Sequence, residues 1–123
     1  MSEKIESKFW KLVKIETPKI KWVRIENWAC FGTPDLLGYN ENHKYFTVEL
    51  KVSRSKKLHF SPHQIGYCIT HPINHFILST PHAPLSPKLY EGKNINELLK
   101  TGIETPNAIA CDWNAVRLCL YGL

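Results

Sequence analysis

Residues 32–38 read Gly32-Thr33-Pro34-Asp35-Leu36-Leu37-Gly38. Eleven residues further on, Glu49-Leu50-Lys51 stands inside the run Tyr45-Phe46-Thr47-Val48-Glu49-Leu50-Lys51-Val52. That run alternates strictly. Phe46, Val48, Leu50 and Val52 share one face, and Tyr45, Thr47, Glu49 and Lys51 share the other, which predicts a strand with an apolar side. An acid and a lysine two residues apart then point the same way. Between the two stretches, Asn40-Glu41-Asn42-His43 is turn-forming. The chain can fold back there and bring Asp35 beside Glu49.

Two neighbouring carboxylates repel each other unless something positive lies between them. A hard cation such as Mg²⁺, which takes oxygen ligands, answers that need, and Mn²⁺ can substitute. A lysine beside such a pair completes the minimum set for phosphodiester hydrolysis: a cation to polarise the phosphate and activate water, and an ammonium to stabilise developing charge. Glu-X-Lys alone is common as a surface ion pair. It is the Pro-Asp before it, at this spacing, that sharpens the signal.

With these residues in place, the sequence resembles the PD-(D/E)XK nuclease superfamily, and within it the small stand-alone VRR-NUC and Holliday-junction-resolvase-like nucleases. The matching residues are Glu6 on a first helix, Gly32-Thr33-Pro34-Asp35-Leu36, Glu49-Leu50-Lys51, and Gln64 on a following helix. They span roughly residues 2–80. The resemblance implies an α/β fold with a central mixed sheet flanked by helices, a restriction-endonuclease-like core. It implies a metal-dependent endonuclease in which Asp35, Glu49 and the Leu50 carbonyl hold Mg²⁺. Lys51 would position or activate water, and Glu6 would serve a second metal or its water. Gln64 and His63, with the loop carrying Arg54, Lys56 and Lys57, would hold the phosphate backbone of DNA.

The rest of the chain is consistent with one domain over residues 1–123, a core of about 2–80 and an extension over 81–123. Its 123 residues, 43% hydrophobic with four Trp, exclude a disordered chain. No apolar run is long enough to span a membrane and there is no secretory leader pattern, so the expectation is a soluble, cytoplasmic protein. A net charge of +5 suits a polyanionic partner. The four cysteines show no Cys-X-X-Cys spacing, and Cys68, His71 and His75 fall short of a zinc ligand set.

Residues 2–14 read as an amphipathic helix capped by Ser2, with Ile5, Phe9, Leu12 and Val13 as its stripe. Glu6 falls within the apolar arc, and Lys4, Lys8, Lys11 and Lys14 lie opposite. Residues 20–31 form one or two short strands. Ser61-Pro62-His63-Gln64 reads as a capping box opening a helix to about Thr70. That box is itself a sufficient reason for a glutamine at position 64. His75–Ser79 is a strand, residues 81–87 a proline-rich loop, and 94–101 a short helix stopped by Gly102. The apolar tail with Trp113, Val116, Leu118, Leu120 and Tyr121 packs on the core or on a second subunit, and a homodimer is expected. The chain offers little for base reading, which favours recognition of branched DNA shape. The alternatives are a sequence-specific homing or restriction-type endonuclease and a non-catalytic nucleic-acid-binding module.

Overall fold

The structure, a computed structural model, describes residues 4–25, 32–104 and 106–123. The Ser2 cap and the continuation of the first strand over residues 26–31 lie outside them. The order is α1 (Ile5–Glu16), β1 (Lys21–Arg24), β2 (Leu36–Tyr39), β3 (Tyr45–Ser53), α2 (Pro62–Thr70), β4 (His75–Pro81), β5 (Lys88–Glu91), α3 (Ile95–Thr101), β6 (Ala108–Ala110) and α4 (Trp113–Tyr121).

The six strands lie side by side in sequence order. All neighbours are antiparallel except β3 and β4, which run parallel and are joined across the sheet by α2. The expected mixed sheet with flanking helices is therefore present. Alternation along β3 and β4 divides the core in two. Phe46, Val48, Leu50, Phe76 and Leu78 pack with Phe9 and Val13 of α1 and with Val116 and Leu120 of α4. On the opposite face, Ile77 and Tyr90 pack with Leu58, Cys68, Ile95 and Leu98. β4 is buried on both faces, as expected of a strand with a parallel neighbour in a layered fold.

The predicted turn forms as read. The Asn40 carboxamide oxygen accepts from the Asn42 and Lys44 N–H groups, at 3.0 Å each, and closes an Asx-type loop. The same side chain donates to the Leu120 carbonyl at 2.9 Å, tying the β2–β3 turn to the end of α4.

One reading is corrected. The second half carries two further strands, β5 and β6. At four and three residues they are too short for periodicity to show. The C-terminal segment is a helix capped by Asp112, whose side chain accepts from Ala115 N–H at 2.7 Å. Its Val116 and Leu120 sit in the monomer core and Trp113 packs against Phe9, so most of the apolar surface assigned to a partner subunit is already used. Of that segment Leu118 stays exposed, at 78%.

Gly38 in β2 has a packing reason. A Cβ there would lie 2.4 Å from the Phe46 ring and 2.9 Å from Trp22, in the middle of an edge-to-face stack. Gly38→Ala should destabilise the fold by about 1–3 kcal/mol, the usual cost of overpacking. Urea denaturation checks this. Combined with Phe46→Leu, which removes the ring edge, the loss should be smaller than the sum of the two single losses.

Candidate active site

The site forms where β3 outruns β2. β2 begins at Leu36, opposite Val48, so β3 continues beyond it with no strand on that edge among the described residues. Thr47 N–H donates to the Asn74 carbonyl on the β4 side at 2.9 Å. By alternation, the Leu50 N–H and C=O face the other edge. Asp35, immediately before β2, fills that gap: its Oδ2 accepts from Leu50 N–H at 2.8 Å. A side chain thus replaces a missing ladder bond and fixes the Asp35 carboxylate beside the Glu49-Leu50 peptide. The Asp35 carbonyl also accepts from Ile25 N–H at 2.8 Å, which anchors the other side of the residue.

Glu49 and Lys51 project from β3 toward α2, as alternation requires. Glu49 is buried, with 4% of its surface exposed. Burial pushes its carboxyl up to about 9, and the adjacent Asp35 carboxylate adds to the shift. The α2 N-terminus supplies the next group. Ser61 and Gln64 form the predicted capping box, yet Gln64 does more. Its Oε1 accepts from Ser61 N–H at 3.0 Å and from Lys51 Nζ at 2.9 Å. Both partners are donors, so the carboxamide orientation is fixed, and Nε2 donates toward both Glu49 oxygens at 3.4 and 3.5 Å. The cap and the reach into the site are one arrangement. Lys51 Nζ also lies 4.7 Å over the Phe60 ring, which further limits its position. Gly32, at φ +81°, brings the Gly32–Asp35 segment against α2: a Cβ there would meet the His63 carbonyl at 2.4 Å.

These groups line a cavity of about 380 Å³ with Glu6, Val52 and His59. Glu6 arrives from α1, which covers the opposite face of the sheet, and reaches round the open edge. Its side chain is largely exposed, so it stands at the rim and not in the core. Partial desolvation, and then Asp35, raise its carboxyl above the ordinary range, against the lowering pull of Arg24, Lys51 and Lys4. Among the described residues no three acidic, histidine or cysteine side chains form a preformed metal cage. Magnesium does not need one, since it keeps several waters and takes one or two carboxylates together with substrate phosphates. The donor set fits such an ion: two adjacent carboxylates, one of them buried and shifted by desolvation toward its protonated form, with a backbone carbonyl facing the same strand edge.

The predicted DNA contacts are placed less uniformly. Arg54 lines a neighbouring cavity, Lys56 pairs with Glu104 at 3.1 Å, and Lys57 and His63 are exposed. His59 was not singled out from sequence. It belongs to the basic 53–59 loop, and nothing in a loop pattern shows which of its members turns inward. His71 stacks on Tyr67, and the buried His75 shares a 2.8 Å hydrogen bond with Thr47 Oγ1.

The fold has a counterpart among solved structures. It is similar to the 1.6 Å structure of Hjc from Archaeoglobus fulgidus, a Holliday junction resolvase from an archaeal hyperthermophile. The TM-score is 0.56 and the identity 14%, over 71% of this chain and 77% of that one. At that identity the likeness is one of fold. No protein-family profile and no curated protein sequence matches the chain. Among the described residues, no helix is long and apolar enough to cross a membrane.

The raised Glu49 carboxyl has a stability consequence with a definite sign. The folded chain keeps a proton that the unfolded chain loses near the ordinary value of 4.5. The stability this proton supplies is complete below that value and is lost as pH rises toward 9. In chelator, the melting temperature of Glu49→Gln should therefore exceed that of the wild type by a margin that widens from pH 5 to pH 9. Parallel curves over that range would contradict the assignment.

Proposed function

We propose that this protein is a Mg²⁺-dependent endodeoxyribonuclease that hydrolyses phosphodiester bonds in branched DNA. The observation that carries the reading is the Asp35–Glu49 pair at the β3 edge, held by Leu50 N–H on one side and Gln64 on the other, with Lys51 in the same hydrogen-bonded chain. The resolvase fold supports it and favours a structure-specific substrate over one read by sequence.

Bound between Asp35 and Glu49, Mg²⁺ would polarise the scissile phosphate and lower the pKa of a coordinated water. The chain's own residues set the rest. Asp35 and Glu49 supply carboxylate oxygens and the Leu50 carbonyl a neutral one. Gln64 orients Glu49 and, through the same carboxamide, holds Lys51 Nζ toward the cavity. Lys51 stabilises charge on the phosphoryl oxygens or orients the attacking water, and Glu6 at the rim binds water or a second ion. Arg54, Lys57 and His63 contact the flanking backbone. The apolar tail is largely used inside the monomer, so a dimer of this chain would need another surface.

Asp35→Ala and Glu49→Ala should each abolish cleavage of a four-way junction while leaving DNA binding intact. The binding surface is basic and separate from the carboxylates. Wild-type cleavage by either variant in Mg²⁺ would show that the site is elsewhere. Lys51→Ala should slow single-turnover cleavage by about 10²–10⁴-fold with little change in affinity. A comparison of junction, flap, linear duplex and plasmid DNA assigns the substrate. Cutting at one fixed plasmid sequence, with junctions spared, would replace the branched-DNA reading with the homing or restriction-type one.

A further inference from the structure

Three cavities stand in series along the end of β3. The first holds the carboxylates. Glu6 and Val52 are also walls of a second, of about 530 Å³, whose other lining includes Lys4, Lys8, Arg54 and His82. Arg54 and His82 in turn separate the second from a third, of about 320 Å³, bounded by Ser53, Lys56 and the Pro81–Ala83 turn. The frame is rigid. Lys4 and Lys8 are successive turns of one helix face, with Lys8 N–H donating to the Lys4 carbonyl at 3.1 Å. His82 N–H donates to the Ser53 carbonyl at 2.9 Å and locks the end of β4 to the end of β3.

Positive charge is in excess among the described residues in the middle of this series. Among the described residues, none of Lys4, Lys8 and Arg54 forms a salt bridge, whereas Lys56 at the far end is paired with Glu104. Glu6 is, among the described residues, the one acid in the lining of the second cavity, and it sits on the wall shared with the carboxylate site. Three cations against one rim acid leave this concavity with an excess of positive charge, which suits an anion. A concavity that opens into the reaction site calls for an anion continuous with the one reacting there. Among the described residues the lining contains no Phe, Tyr or Trp, the large aromatic platforms on which successive bases stack.

We propose that Lys4, Lys8, Arg54 and His82 form a backbone track that holds the phosphates next to the scissile one, running from the carboxylate notch to the Lys56–Glu104 pair and reading no bases. The α1 lysines, which a helical pattern assigns to a solvated face, thereby become DNA-binding groups. The proposal deepens the nuclease reading and rests on it for the identity of the polyanion.

The test is binding without chemistry: fluorescence anisotropy of labelled DNA duplexes of unrelated sequence, in chelator, over a range of salt concentration. The Lys4→Ala/Lys8→Ala double variant and Arg54→Ala should each weaken binding to every sequence equally. The slope of log affinity against log salt should flatten by about one for each phosphate that the variant no longer neutralises. Lys100→Ala, which removes an exposed charge on α3, controls for net charge and should leave the slope unchanged. Wild-type slopes in both track variants, a flattening no larger than that of Lys100→Ala, or no DNA binding by the wild type would overturn the track. Cleavage by Asp35→Ala is scored separately. If that variant still cuts, the carboxylate assignment fails while the salt slopes continue to decide the track.

Discussion

One missing strand partner organises the site. β3 is nine residues long and β2 only four, so the Leu50 peptide lies past the end of β2, with no strand partner on that side among the described residues. An unpaired buried N–H is costly, and the Asp35 carboxylate is the group that satisfies it. That single bond places a charged oxygen beside Glu49, which β3 has already buried against α2. Burial first, and the neighbouring Asp35 second, then raise the Glu49 carboxyl so that it keeps its proton far above its ordinary range. A cation would substitute for that proton. The carboxylate pair is therefore a consequence of sheet geometry, and the same edge leaves the Leu50 carbonyl without a strand partner.

The second constraint is the economy of α2. A helix needs its first N–H groups satisfied, and Ser61 and Gln64 do this reciprocally. With Oε1 committed to two donors, Gln64 must turn its NH₂ to Glu49. A capping residue is held in place by its backbone role, which makes it a good second support for the Lys51 ammonium. Phe60 beneath the ammonium completes that support.

Much of this was legible in the sequence, and the reasons differ by residue. β3 declares itself by strict alternation, α2 by its capping box, and the β2–β3 turn by Asn40 and its neighbours. Asp35 and Glu49 could be paired because a tight turn lies between them. Gln64 offered two readings that the structure merges into one. Glu6 was ambiguous for a physical reason: a residue on the flank of a helix stripe is core or rim depending on where the sheet ends, and helix periodicity does not contain that information. β5 and β6 were hidden by their length. The tail was correctly read as too apolar for solvent, but composition cannot say whether such a segment covers its own core or a partner. Here Asn40 and Asn42, bonded to the last carbonyls of the chain, settle it onto its own β2–β3 turn.

A divalent cation bound between Asp35 and Glu49 would displace the proton that burial keeps on Glu49. Calorimetric titration of Mg²⁺ into the protein at pH 8, repeated in buffers of different ionisation enthalpy, measures this directly, because metal binding to a protonated ligand releases the proton to the buffer. The account predicts a buffer-dependent heat corresponding to about one proton per ion bound, and loss of both binding and proton release in Glu49→Gln. Buffer-independent heats in the wild type, or unchanged binding in Glu49→Gln, would contradict it.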